Sequence, residues 1–215
     1  MSDATRYRRS IVVSRAVVAG NVALLSEHYG LEKFVVWTRR RSGFRFLDGF
    51  RSMANDVGVA IFDGEEEPEF ELRLNQILGG HPGLHCALSL ETHLLSVRQV
   101  ASGAGVSYGA TFVAPEGMPV GLAPIGFGDG IDRRLSGSLR VRVDGTDVAV
   151  LGRIAMDSIS LDLREIPGAL PGAVVSVYGD APSGGWSIRD ASVVLGILPT
   201  EIITRLSERA EVIWR

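Results

Sequence analysis

From Ala87 onward the chain is a series of short apolar runs, each cut off within a few residues by glycine, proline, aspartate or serine. The runs read ALSLETHLLSVRQV, VSYGATFVA, PVGLAPIGF, SLRVRVDGTDVAVLGRI, SISLDL and AVVSVYG. Stretches this short and this often interrupted leave little room for helices and point to strands joined by turns. Within them VDGTDVAV sets Asp144-Gly145 between alternating apolar residues, the strongest short-range signal for a hairpin. Residues 85–215 therefore read as an all-β unit, barrel-like or sandwich-like, closed by a helix over PTEIITRLSERA (199–210). Pro199 suits the first turn of that helix and Glu201 its positive end.

Residues 1–84 have a different texture. After a loose polar start (1–10), IVVSRAVVAGNVALLSEHYG (11–30) spaces Val17, Val18, Leu24 and Leu25 as a helix does, with Ser14 as N-cap and Gly30 as stop. KFVVW (33–37) reads as a strand, LDGFRSMANDVG (47–58) as a short helix and VAIFDG (59–64) as a second strand. EEEPEFELRLNQILGG (65–80) reads as acidic, then helical, and HPGLHC (81–86) as a boundary. The expected fold class is α+β, with a shortened α/β segment over 1–84 and a β-domain over 85–215.

Composition removes several function classes. The 215 residues are 46% hydrophobic, enough for a core, and the net charge of −3 argues against nucleic acid as partner. Cys86 is the sole cysteine, so an intramolecular disulfide and a cysteine-built metal site are ruled out. No apolar run reaches membrane-spanning length, and MSDATRYRRSIVV lacks the apolar core of a signal peptide, so a cytoplasmic protein with no membrane partner is expected. Of 22 basic residues only Lys33 is a lysine, and arginine does not form Schiff bases.

Each motif has a plain reading beside the chemical one. Tyr108 in GVSYGATF is an acid–base candidate, or a strand tyrosine with its hydroxyl in water. PIGFGDGIDRRL (124–135) lets backbone approach a ligand closely, or is only a turn; its spacing is not that of a nucleotide-binding loop. Arg153 and Asp157 in GRIAMDSISLDL flank Met156 and read as a site, or as an ion pair or turn cap. His81 and His85 stand four apart, but Pro82 and Gly83 disfavour a helix there and no third ligand is adjacent, so no metal is expected. Arg39 to Arg41 and the acidic run 63–71 read as solvated loops, or as partners across a subunit contact.

Taken in order, residues 88–163 resemble the C-terminal β-domain of the alanine racemase family. Its pattern Val-Ser-Tyr-Gly-x-Thr-Tyr, Pro-Ile-Gly-Tyr-Ala-Asp-Gly and Val-Gly-Arg-x-x-Met-Asp is matched by VSYGATF, PIGFGDG and LGRIAMD, and LPTEIITRLSERAEVIWR resembles the family's last helix and strand. The resemblance implies that Tyr108 is one of two acid–base groups, reaching the substrate from a partner subunit. It implies that Met156, followed by Asp157, lies near the substrate carboxylate, and that Arg133 and Arg153 line the entry corridor. Two positions depart from the pattern: the gate tyrosine is Phe127 and the tyrosine of the final helix is Thr200. The family's pyridoxal phosphate (PLP) lysine is expected after Val35-Val36, where Trp37 stands; Lys33 falls four residues earlier, roughly 13 Å along a strand.

Three readings follow from these residues. The first is a cofactor-independent isomerase, epimerase or cyclase of specialised metabolism. It acts on a small-molecule substrate with Tyr108 as acid/base and Arg133, Arg153, Met156, Asp157, Phe127 and Thr200 around the substrate, with no cofactor and no PLP. The alternative is a non-catalytic partner or regulator that completes the site of a full-length PLP racemase. The third is a structural remnant whose motifs serve folding alone. A homodimer is expected, because a β-domain without its barrel exposes an apolar face.

Overall fold

The computed structural model describes residues 8–29, 34–37, 44–57, 59–62, 72–73, 76–81, 83–179, 186–206 and 209–215. β1 (Ser10–Val13) comes first and α1 (Arg15–Tyr29) follows. Ser14 caps the helix: its Oγ accepts from the Val17 N–H at 3.3 Å and its carbonyl from the Val18 N–H at 3.0 Å. β2 (Phe34–Trp37), α2 (Phe44–Ala54) and β3 (Val59–Phe62) reproduce the strand–helix–strand order read from the sequence. β2 pairs in parallel with β3 on one side and with β4 (Leu72–Arg73) on the other. Of the stretch read as acidic and then helical (65–80), Leu72–Arg73 is extended instead and Gln76–Gly80 makes a wide helical turn, broken at Gly79 with φ 124°. Gly30, Lys33, Arg39 to Arg41 and the acidic run 63–71 lie outside the described residues.

Most of the C-terminal runs form strands as expected. They are β5 (Leu88–His93), β6 (Ser96–Val100), β7 (Gly105–Val106), β8 (Phe112–Val113), β9 (Met118–Ala123), β10 (Arg140–Val143), β11 (Thr146–Leu151), β12 (Ile159–Asp162), β13 (Val174–Tyr178) and β14 (Glu211–Trp214). Nine strands build one curled sheet in the order β14-β1-β5-β13-β10-β11-β12-β9-β6, while β7 and β8 pair separately. The β10–β11 hairpin turns at Asp144 (φ 44°) and Gly145 (φ 88°), the two left-handed residues that a tight primed turn requires. Asp144 is held there because its carboxylate accepts from the Val174 N–H at 2.9 Å.

The loose start expected for 1–10 is already ordered at Arg8. β1 lies between β14, parallel, and β5, antiparallel, so both ends of the chain meet in the large sheet. Arg8 also pairs with Glu211 at 2.7 Å. Along β5 the alternation buries Leu88, Leu90 and Thr92, and Val141, Val143, Val148, Val150, Leu161, Val175 and Val177 join the same core. Each such aliphatic side chain contributes about 1.5–3 kcal/mol when withdrawn from water. Buried Asn21 on α1 ties the first segment to the second, donating to the carbonyls of Ile77 and His85 at 2.8 Å and accepting the His85 N–H at 2.9 Å.

Two helices close the structure. α3 (Ile188–Leu195) begins in a capping box between Ser187 and Asp190 and ends on Gly196 at φ 65°. α4 (Pro199–Arg205) starts at the expected proline but stops five residues before the end of the helix read from sequence. No helix among the described residues is long and apolar enough to cross a membrane.

Candidate functional site

Tyr108 is not in a strand, contrary to the sequence reading. It opens a 3-10 turn, Tyr108–Ala110, between β7 and β8. The reason is backbone conformation: Ser107, Gly109 and Ala110 have φ of 67°, 75° and 47°, which no extended segment accommodates. For the two non-glycine residues this costs on the order of 1–2 kcal/mol each. A small separate core of Val100, Val106, Ala114, Met118, Val120 and Leu151 holds the hairpin from below.

The turn is clamped from the side by Gly152 and Arg153. Ser107 Oγ accepts the Arg153 N–H at 2.9 Å. A β-carbon on Gly152 (φ 66°) would stand only 2.0 Å from that same Oγ, so the close approach requires glycine. The Arg153 guanidinium lies beside the turn, 3.8 Å from where a β-carbon on Gly109 would be. Tyr108 itself is 69% exposed.

The glycine-rich loop joins the same face. Phe127 donates its N–H to the Ala155 carbonyl at 3.0 Å, and Gly128 donates to the Met156 carbonyl at 2.9 Å. Phe127 and Met156 are both exposed. The Arg133 guanidinium sits 5.7 Å from the centre of the Phe127 ring, within cation–π range. Ser136 links the two segments, donating to the Arg133 carbonyl at 2.7 Å and accepting the Ile154 N–H at 3.0 Å. Asp157 is paired, but its partner is Arg209. That pairing, and then the charge of Asp129, holds the Arg209 guanidinium more firmly protonated than usual.

Six of the seven candidate residues thus lie on connected segments: Tyr108, Phe127, Arg133, Arg153, Met156 and Asp157. Thr200 does not join them among the described contacts. It is half-buried in the first turn of α4, whereas that helix reaches the loop through its other end, where the Arg205 carbonyl lies 2.6 Å from a β-carbon built on Gly130. The sequence reading missed Ser107, Ser136, Asp129, Arg9 and Arg209. Only Asp129 carried a signal, an acidic residue between glycines inside an apolar stretch.

The family described as "Alanine racemase, C-terminal domain" matches residues 87–214, more than half of the chain. The chain belongs to this family. An alanine racemase of Piscirickettsia salmonis is 35% identical over 133 residues, covering 61% of this chain and 77% of that protein. One from Nitrosococcus oceani is 41% identical over 138 residues, but the match covers only 38% of its length. Among solved structures, an alanine racemase from Streptomyces coelicolor A3(2) superimposes on 93% of this chain and 60% of that chain, with a TM-score of 0.61 and 27% identity. An alanine racemase from a D-cycloserine-producing Streptomyces lavendulae reaches a TM-score of 0.71 over 97% of both chains at 17% identity, which speaks to the fold alone. The family match spans β5 to β14, and with them the Tyr108 turn and the glycine-rich loop.

Proposed function

We propose that this chain supplies the tyrosine side of a two-sided acid–base site whose other side is an alanine racemase barrel holding an amino acid. The observation that carries the reading is the exposed Tyr108 phenol on a strained turn fixed by the Ser107–Arg153 bond. Strain of this kind persists where a side chain must be presented in one orientation. Acid–base work on a carbon acid also needs water excluded, and a face this open obtains that from an opposing surface. In the closed site Tyr108 Oη moves a proton at the substrate α-carbon, while Arg153 beside the turn offers charge to the substrate carboxylate.

PLP, which the family brings with it, does not fit this chain's own residues. β2 ends on Val35-Val36-Trp37, where a lysine is called for, and the only lysine precedes the strand's first residue. In this reading the chain holds no PLP itself. A second reading, the cofactor-independent isomerase acting as a homodimer, is favoured by one feature. Phe127 under Arg133 makes an apolar, cationic ledge without a hydroxyl, suited to a ligand other than alanine.

The test is trans-complementation. A Nitrosococcus oceani alanine racemase, with phenylalanine placed at its position matching Tyr108 so that its own activity is lost, is mixed with the full chain, and D-alanine formation from L-alanine is followed. Rescue by the wild-type chain and not by Tyr108→Phe supports the reading, with a difference on the order of a hundredfold or more. No rescue, together with no mixed complex in sedimentation, overturns it. A borohydride-trapped PLP adduct on Lys33 would overturn the cofactor statement.

A further inference from the structure

Asp129 is fully buried, and a carboxylate withdrawn from water is tolerated only when charge and hydrogen bonds surround it. Its Oδ2 accepts the Gly126 N–H at 2.9 Å, and its Oδ1 faces Arg9 Nε at 3.2 Å and Arg209 Nε at 3.7 Å. Arg9 also donates to the Pro124 carbonyl at 2.8 Å, so the start of the glycine-rich loop is held twice. Arg209 passes over Gly128, where a β-carbon would lie 2.4 Å from its Nη1 and 3.2 Å from Met156 Cγ, and ends on Asp157. Arg9, Arg209 and the Gly126 N–H thus converge on one carboxylate, and Arg209 carries the contact on to Asp157.

We propose that Asp129 is the positioning residue of this face: it sets the Phe127 loop directly and the Met156–Asp157 turn through Arg209. For substrate the inference rests on the half-site reading above; for geometry it stands without it. A buried ion pair that served stability alone would not need Arg209 to reach Asp157, since Arg9 already lies against Asp129.

The test uses the full chain labelled with 13C-methyl methionine. Met156 reports on the turn, Met53 on the main core and Met118 on the small core. Asp129→Asn and Arg209→Gln are compared with Arg8→Gln, which breaks only the exposed pair with Glu211. The Met156 methyl resonance is expected to move in the first two variants, and no further in their double variant than in the larger single. Met53 and Met118 are expected to hold, and Arg8→Gln to change nothing. A Met156 resonance unmoved in Arg209→Gln, or additive shifts, overturns the proposal.

Should Asp129→Asn fail to fold, Arg209→Lys decides. Keeping the charge restores part of the shift, and identical Gln and Lys spectra refute the coupling. In the complementation assay Asp129→Asn raises the KM for alanine about tenfold, the size of one charge-assisted hydrogen bond, with kcat held within about twofold. A fall in kcat at unchanged KM signals lost folded protein and overturns the positioning role. Absence of complementation by wild type defeats the functional reading and leaves the methyl test standing.

Discussion

Replacing Gly152 by alanine perturbs the site at its narrowest point. The backbone there has φ 66°, where a β-carbon costs about 1 kcal/mol or more. The new carbon would also meet Ser107 Oγ at 2.0 Å, far inside contact distance, so Ser107 must rotate away and release the Arg153 N–H. That lost hydrogen bond adds about 1 kcal/mol, giving about 2–3 kcal/mol in all. For a chain of this length the melting temperature falls by about 5–10 °C. Calorimetry of wild type, Gly152→Ala, Ser107→Gly and the double variant measures each part. Ser107→Gly removes one strained residue and one hydrogen bond, which roughly cancel, so it stays within about 0.5 kcal/mol of wild type. The double variant then carries only the backbone cost at 152 and recovers about half of the loss. A Gly152→Ala protein as stable as wild type, or a double variant no better than Gly152→Ala, would refute the clamp.

Three further outcomes follow from named contacts. Gly126→Ala sets a β-carbon 2.2 Å from the Ala155 carbonyl oxygen, which is backbone and cannot turn aside; it costs about 3 kcal/mol, seen as a lower denaturation midpoint at constant slope. Hydrogen bonding from Arg134, which outweighs partial burial, and the charge of Arg205 hold the Asp132 carboxyl below the usual carboxylate range. An unfolded chain binds that proton more readily, so Asp132 stabilises above the ordinary carboxylate pKa and loses its effect as pH falls through the lower native value. The melting curves of wild type and Asp132→Asn should therefore converge only below about pH 4, and a pH-independent gap would contradict this. Burial, with the charge of Asp132, pushes the Tyr178 phenol well above its ordinary range, and its hydroxyl has no hydrogen-bond partner among the described residues. Tyr178→Phe should raise stability by about 1 kcal/mol in urea unfolding, whereas a loss of that size would show that the hydroxyl is bonded.

The local signals in the chain were sufficient for most of its elements. Asp144-Gly145 can only turn tightly, and the alternation of Leu88, Leu90 and Thr92 can only face one core, so hairpin and strands were legible from neighbouring residues. Ser14 and Pro199 mark two helix starts, and the Ser187-x-x-Asp190 spacing that caps α3 is a local signal of the same kind. The run order Tyr108, Phe127, Arg133, Arg153, Met156 and Asp157 carried the family and most of the candidate face. What sequence could not supply is whatever depends on residues far apart in the chain. That β1 is stitched between β5 and β14, that Tyr108 sits on a strained turn because Gly152 lets Ser107 come close, and that Asp129 gathers Arg9 and Arg209 are all contacts between distant segments. A residue's own pattern encodes its preferred backbone. Which charge neutralises a buried carboxylate, and which side of a helix meets a loop, is decided only when the folded sheet brings the partners within a few ångströms.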